Sequence, residues 1–143
     1  MFYGEYQHIL DVKNRIIIPA KFRAGLSDAF IITKGGWGSY LTIYTMEEWR
    51  SLEARIKQLP QSDESVRMFA RIVFGGACEC VPDTQGRVLI PSALKAYAGI
   101  VKDVITVGVS GKIEVWSKEN YENQMEKGLM DDAVSARMSE FGI

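Results

Sequence analysis

The 143-residue sequence has one histidine, His8, and two cysteines, Cys78 and Cys80, and that scarcity narrows its chemistry at once. A structural zinc site takes four sulfur or imidazole ligands, and C-x-C with one distant histidine supplies three at most. No metal or other cofactor is expected. In GACECV the cysteines alternate about Glu79, the spacing of one face of a β-strand, and they read as reduced thiols. With no serine or cysteine in a strand-to-helix elbow, the single histidine builds no catalytic triad. Gly35-Gly36-Trp37-Gly38 lacks the Lys-Ser/Thr that completes a phosphate loop. Neither an enzyme nor a small-molecule substrate is expected. No apolar run approaches the roughly 20 residues of a spanning helix, and MFYGEYQHILD lacks the basic end and apolar stretch of a signal peptide. The expected location is the cytoplasm, with no membrane partner. Charge of one sign is lacking too: 17 Lys+Arg face 18 Asp+Glu, a net −1. Proteins that coat polyanions by bulk electrostatics carry a large positive surplus, so a polyanion partner here requires a local patch.

What the sequence does contain is a repeat. DVKNRIIIPAKFR (Asp11 to Arg23) returns as DTQGRVLIPSALK (Asp83 to Lys95), and the offset is 72 for the Asp, the Arg and the Pro alike. The same offset carries LTIYTMEEW onto IEVWSKENY. The chain therefore divides into units 1–75 and 76–143, expected to intertwine as one pseudo-two-fold body with a mainly β core.

The turn chemistry defines each unit. Asn14 in the first copy and Gly86 in the second are the residue types that best tolerate positive φ, which marks a tight turn. Asp11 and Asp83 open these turns, placed to accept backbone N–H bonds two or three residues on. Arg15 and Arg87 close them and begin the apolar runs Ile16-Ile17-Ile18 and Val88-Leu89-Ile90. Pro19 and Pro91 end those strands and start short helices carrying Phe22 and Leu26, or Leu94, Tyr97 and Ala98. A hairpin follows in each copy, turning at Gly35 to Ser39 and at Ser110-Gly111. Thr45 to Glu48 then fits a capping box, and the pairs Tyr44/Trp49 and Trp116/Tyr121 fit hydrophobic staples. Met46, Trp49, Leu52, Ile56 and Leu59 predict an amphipathic helix ended by Pro60, and a second helix begins near Ser62. The helical pattern from Tyr121 weakens across Glu126 to Asp132, predicting a frayed end.

Resolved by segment, the charge is strongly polarised. Lys13 to Arg23 holds Lys13, Arg15, Lys21 and Arg23 with no acid, a local +4; Thr84 to Lys102 holds Arg87, Lys95 and Lys102, a local +3. Glu114 to Glu140 sets seven acids against three cations, a local −4. Solvated surface charge explains any one lysine, but not a repeated Asp/Arg placement around a repeated turn.

Two D-x-x-x-R motifs, each followed by an apolar run and Pro, resemble the MraZ family of bacterial regulators. Each copy resembles the DNA-binding segment of AbrB-like swapped-hairpin domains. The similarity runs from YGEYQHILD through WSKENY. It implies an α+β fold of two AbrB-like swapped-hairpin β-barrel repeats with flanking amphipathic helices. It also implies a nucleoid-associated regulator that binds repeated short boxes in double-stranded promoter DNA, upstream of the division and cell-wall gene cluster, as a ring-shaped homo-oligomer. Carried over by position, Asp11, Asp83 and Gly86 structure the motifs, and Arg15 and Arg87 contact guanine or phosphate through the guanidinium fork. An Asp–Arg pair that only stiffens the turn is the alternative, and both hold together if Nη donors stay free. Lys13, Asn14, Lys21, Arg23 and Lys95 complete the expected DNA face, the cations as phosphate contacts. Lys13-Asn14 makes the first turn the more basic. Two other classes share these features: an AbrB-like antitoxin or transition-state regulator, and a ring-forming protein-interaction module.

Overall fold

The computed structural model describes residues 1–143. In chain order the elements are β1 (Phe2–Ile9), β2 (Arg15–Ile17), α1 (Ala20–Leu26), β3 (Phe30–Lys34), β4 (Leu41–Thr45), α2 (Met46–Lys57) and α3 (Glu64–Gly75). The second half gives β5 (Cys78–Cys80), β6 (Arg87–Leu89), α4 (Ser92–Ala98), β7 (Asp103–Ser110), β8 (Ile113–Ser117), α5 (Lys118–Met130) and α6 (Asp132–Glu140). No helix is long and apolar enough to cross a membrane.

The architecture is α+β on an antiparallel core. Six strands form one sheet in the order β1-β7-β8-β4-β3-β5, and β2 pairs with β6 in a separate ribbon. Under the 72-residue offset β1 corresponds to β5, β7 to β3 and β8 to β4, so the sheet reads the same from either edge. The first strand of each repeat pairs with the hairpin of the other: Phe2 to Ile9 along β7, and Cys78 to Cys80 along β3. At the centre Ile43 faces Ile113, joining the two hairpins.

The ribbon lies on this sheet and supplies the middle of the core. Ile16 and Ile18 of the first repeat and Val88 and Ile90 of the second are all buried, in one apolar cluster with Phe2, Phe22, Leu41, Ile43, Leu94, Ile113 and Val115. Phe22 meets the rings of Phe2 and Tyr6 edge-on, at 5.8 and 5.1 Å between centroids, which fastens α1 against β1.

Helix starts follow the expected chemistry with informative departures. Thr45 Oγ1 accepts the Glu48 N–H at 3.1 Å and Ser117 Oγ accepts the Asn120 N–H at 3.1 Å, so each helix after a hairpin has its cap. The reciprocal bond from the Glu48 side chain is not made. Both staples form, with centroids 5.6 Å apart for Tyr44/Trp49 and 5.7 Å for Trp116/Tyr121. α2 stops at Lys57, leaving Leu59 outside the helix, and α3 starts at Glu64 behind the cap Asp63. The weakening expected after Glu126 does not fray the end: α5 runs through Gly128 to Met130, and Asp131 caps a further helix, α6, by accepting the Ala133 N–H at 2.9 Å. Neither α2 nor α6 buries a residue.

Candidate nucleic-acid interface

Each D-x-x-x-R turn is closed by its aspartate. Asp11 Oδ1 accepts the backbone N–H of Lys13 and of Arg15, both at 2.9 Å; Asp83 Oδ1 accepts those of Gln85 and Arg87, both at 2.9 Å. The acceptors thus serve residues two and four along, not two and three, because the arginine already leads the strand. Backbone bonds complete the loop: Asn14 donates to Asp11 O at 3.0 Å and Gly86 to Asp83 O at 2.9 Å. Asn14 at φ 61° and Gly86 at φ 79° occupy the left-handed region at the position where each turn reverses.

The second carboxylate oxygen orients the arginine. Arg15 Nε donates to Asp11 Oδ2 at 2.8 Å and Arg87 Nε to Asp83 Oδ2 at 2.6 Å. The Nη nitrogens of both arginines donate no hydrogen bond within the chain. Each guanidinium is therefore held at its Nε edge, with no hydrogen bond on its outer fork. The backbone N–H of Arg15 holds Asp11 below the usual carboxylate range, and that of Arg87 does the same for Asp83; the arginine side chains add to both effects.

The two turns are adjacent. Ile18 donates its backbone N–H to Gly86 O at 2.9 Å, and Ile90 donates to Asn14 O at 2.8 Å, so each strand is bonded to the turn of the other repeat. Arg15 Nη1 also lies 4.0 Å from Asp83 Oδ2, across the repeat boundary.

The remaining expected residues separate into two groups. Lys13 and Lys21 are exposed and make no ion pair. Arg23 and Lys95 are half-buried and lie on the opposite turn: Lys95 Nζ donates to Asn14 Oδ1 at 3.0 Å, and the Arg23 guanidinium covers Gly86. Lys102, assigned no role by its sequence context, borders the first turn, its carbonyl accepting the Leu10 N–H at 2.8 Å. The only signal for Lys102 was its membership of the second basic segment.

The family model described as "MraZ protein, putative antitoxin-like" matches the chain twice, over residues 1–72 and 73–141. This chain belongs to the MraZ family. Its repeat interval of 72 residues is the interval between the two MraZ matches. Among curated relatives it is 50% identical over 143 residues to the "Transcriptional regulator MraZ" of Clostridium beijerinckii, covering all of both chains. The proteins of the same name from Acetivibrio thermocellus and Caldicellulosiruptor bescii are 47% and 46% identical over 144 residues, again over the whole of both chains.

Proposed function

We propose that this protein is a sequence-specific DNA-binding transcriptional regulator that reads tandem short boxes in double-stranded promoter DNA, upstream of the division and cell-wall gene cluster that includes its own gene. The observation that carries the reading is the pair of adjacent turns in which an aspartate takes the Nε edge of each arginine and leaves the Nη groups without a hydrogen bond in the chain. A guanidinium held this way suits bidentate contact with guanine O6 and N7. Arg15 and Arg87 supply the base contacts; Lys13 and Lys21 add phosphate contacts, which give affinity without sequence information. The names of the relatives agree with a role in transcription. Such a protein works in the cytoplasm, on the nucleoid.

The few cations per chain make self-association part of the reading. Single base contacts contribute about 1–3 kcal/mol each, so one subunit binds loosely. Several subunits on tandem boxes gain avidity of roughly 10²–10⁴. A groove of about 650 Å³ between α2 and α3, lined by Trp37, Leu52, Ile56, Leu59, Val66 and Phe69, is the surface assigned to contact with another copy in a ring. The many subunits of a ring would place the turns at regular intervals along the DNA.

Arg15→Ala tests the site. Affinity for a tandem-box promoter fragment falls by at least about fivefold, from the worth of one bidentate contact, while the melting temperature stays unchanged. Unchanged affinity would reject the assignment.

A further inference from the structure

The offset that relates the repeats also relates Arg23 to Lys95 and Asn14 to Gly86. In the folded chain these four residues form two crossed pairs. Lys95 of the second repeat donates to Asn14 of the first at 3.0 Å. Arg23 of the first repeat covers Gly86 of the second so closely that a Cβ there would fall 2.7 Å from Arg23 Cζ and 2.9 Å from Cδ. Arg23 Nε is buried there without a hydrogen-bond partner. Neither cation makes an ion pair, and both are half-buried. A phosphate contact needs a cation free to leave the surface; these two are laid down on the chain itself.

The two pairs are chemically matched. A compact ammonium needs an acceptor, and Asn14 offers Oδ1; a flat guanidinium needs an unobstructed backbone surface, and Gly86 offers one. Each braced residue immediately precedes the arginine of its motif. It is also the residue whose carbonyl accepts a strand N–H from the other repeat, Ile90 onto Asn14 and Ile18 onto Gly86. A brace on residue 14 or 86 therefore fixes the direction in which Arg15 or Arg87 leaves the turn.

We infer that Arg23 and Lys95 are positioning residues, each clamping the D-x-x-x-R turn of the opposite repeat, so that the two turns present their arginines as one rigid reading head. The inference rests on the DNA reading proposed above. The matching is specific: arginine goes with glycine, and lysine with asparagine.

The test exchanges partners in the full-length protein. Lys95→Arg places a guanidinium against the Asn14 side chain and lowers affinity for tandem-box DNA by about tenfold, leaving scrambled DNA and the salt dependence unchanged. Adding Asn14→Gly rebuilds the arrangement of the other turn and returns affinity to within about threefold of the parent, the compensation expected of contacting residues. The reciprocal pair, Arg23→Lys with Gly86→Asn, behaves alike if the first pair proves unstable. A readout without DNA is amide exchange: Lys95→Met speeds exchange at Ile90, bonded to Asn14, and leaves Ile18 unaffected. The inference is overturned by wild-type affinity in Lys95→Arg, by failure of Asn14→Gly to restore it, or by unchanged exchange at Ile90. It is also overturned if Lys95→Met weakens specific and scrambled DNA equally and lowers the salt slope by about one counterion, the mark of a phosphate contact. Arg15→Ala separates the two failures: if it binds normally the DNA reading falls, and if it loses binding while the exchanges do nothing, only the brace falls.

Discussion

Arg15 Nη1 lies 4.0 Å from Asp83 Oδ2, an ion pair between the two repeats with no counterpart from Arg87 to Asp11. Asp83 thus serves two guanidinium groups, Arg87 at 2.6 Å and Arg15 at longer range, whereas Asp11 serves Arg15 alone. The pseudo-two-fold symmetry breaks where the arginines are held.

The asymmetry ranks two substitutions. Asp11→Asn loosens one arginine and Asp83→Asn loosens both, so the second weakens tandem-box affinity more, by about threefold beyond the first, as befits a partly exposed pair. Fluorescence anisotropy titrations measure this, and equal losses would show that the longer contact has no effect.

His8 gives a pH dependence that belongs to one group. Its Nε2 lies 2.5 Å from Thr106 Oγ1, across the β1–β7 pairing, and burial lowers its pKa below 6.5. The unfolded chain therefore takes up a proton near pH 6.5 while the folded chain still resists it. The stabilising contribution is complete above pH 6.5 and is lost as pH falls below it, by at most about 1.4 kcal/mol per pH unit for one proton. Melting temperature is level from pH 8 to 7 and declines from 6.5 towards 5. In His8→Gln that decline is reduced; an identical profile would place the proton elsewhere.

Phe22 tests the link between core and interface. It is 1% exposed and meets Phe2 and Tyr6 of β1 edge-on. Phe22→Ala removes a fully buried ring and costs about 3–5 kcal/mol. Val12, fully exposed in the first turn, costs almost nothing as Val12→Ala. Urea unfolding distinguishes the two, and a small loss at Phe22 would mean that α1 repacks.

The α2–α3 groove is tested by charge. Leu59 lines it and is 44% exposed, so Leu59→Glu disturbs no core packing. The variant is expected to keep its melting temperature and to lose assembly by light scattering. Its affinity for tandem boxes drops by roughly 10²-fold, while binding to a single box is unaffected. Unaltered assembly would reject the groove as the proposed self-contact.

The phosphate contacts proposed for Lys13 and Lys21 predict a linear fall of log affinity with log salt. Lys13→Gln lowers the slope by about one counterion and weakens all sequences alike. A slope equal to that of the parent would remove Lys13 from the phosphate-contacting set.

The local devices were written in the order of the residues. Positive φ at residues 14 and 86, the cap at Thr45, the staples and the hairpins all depend on residues within a few positions of one another, so their chemistry is legible in order. The 72-residue repeat added the equivalence of the two turns. Folding alone created the relations that span that interval: the exchange of β1 and β5 between hairpins, the ion pair from Arg15 to Asp83, and the crossing of Arg23 and Lys95 onto opposite turns. The sequence presents both as surface cations beside their own motifs, because a long side chain carries no mark of which turn it will reach. Burial of the β2–β6 ribbon brings the two turns together, and only that proximity makes the opposite turn the nearer one.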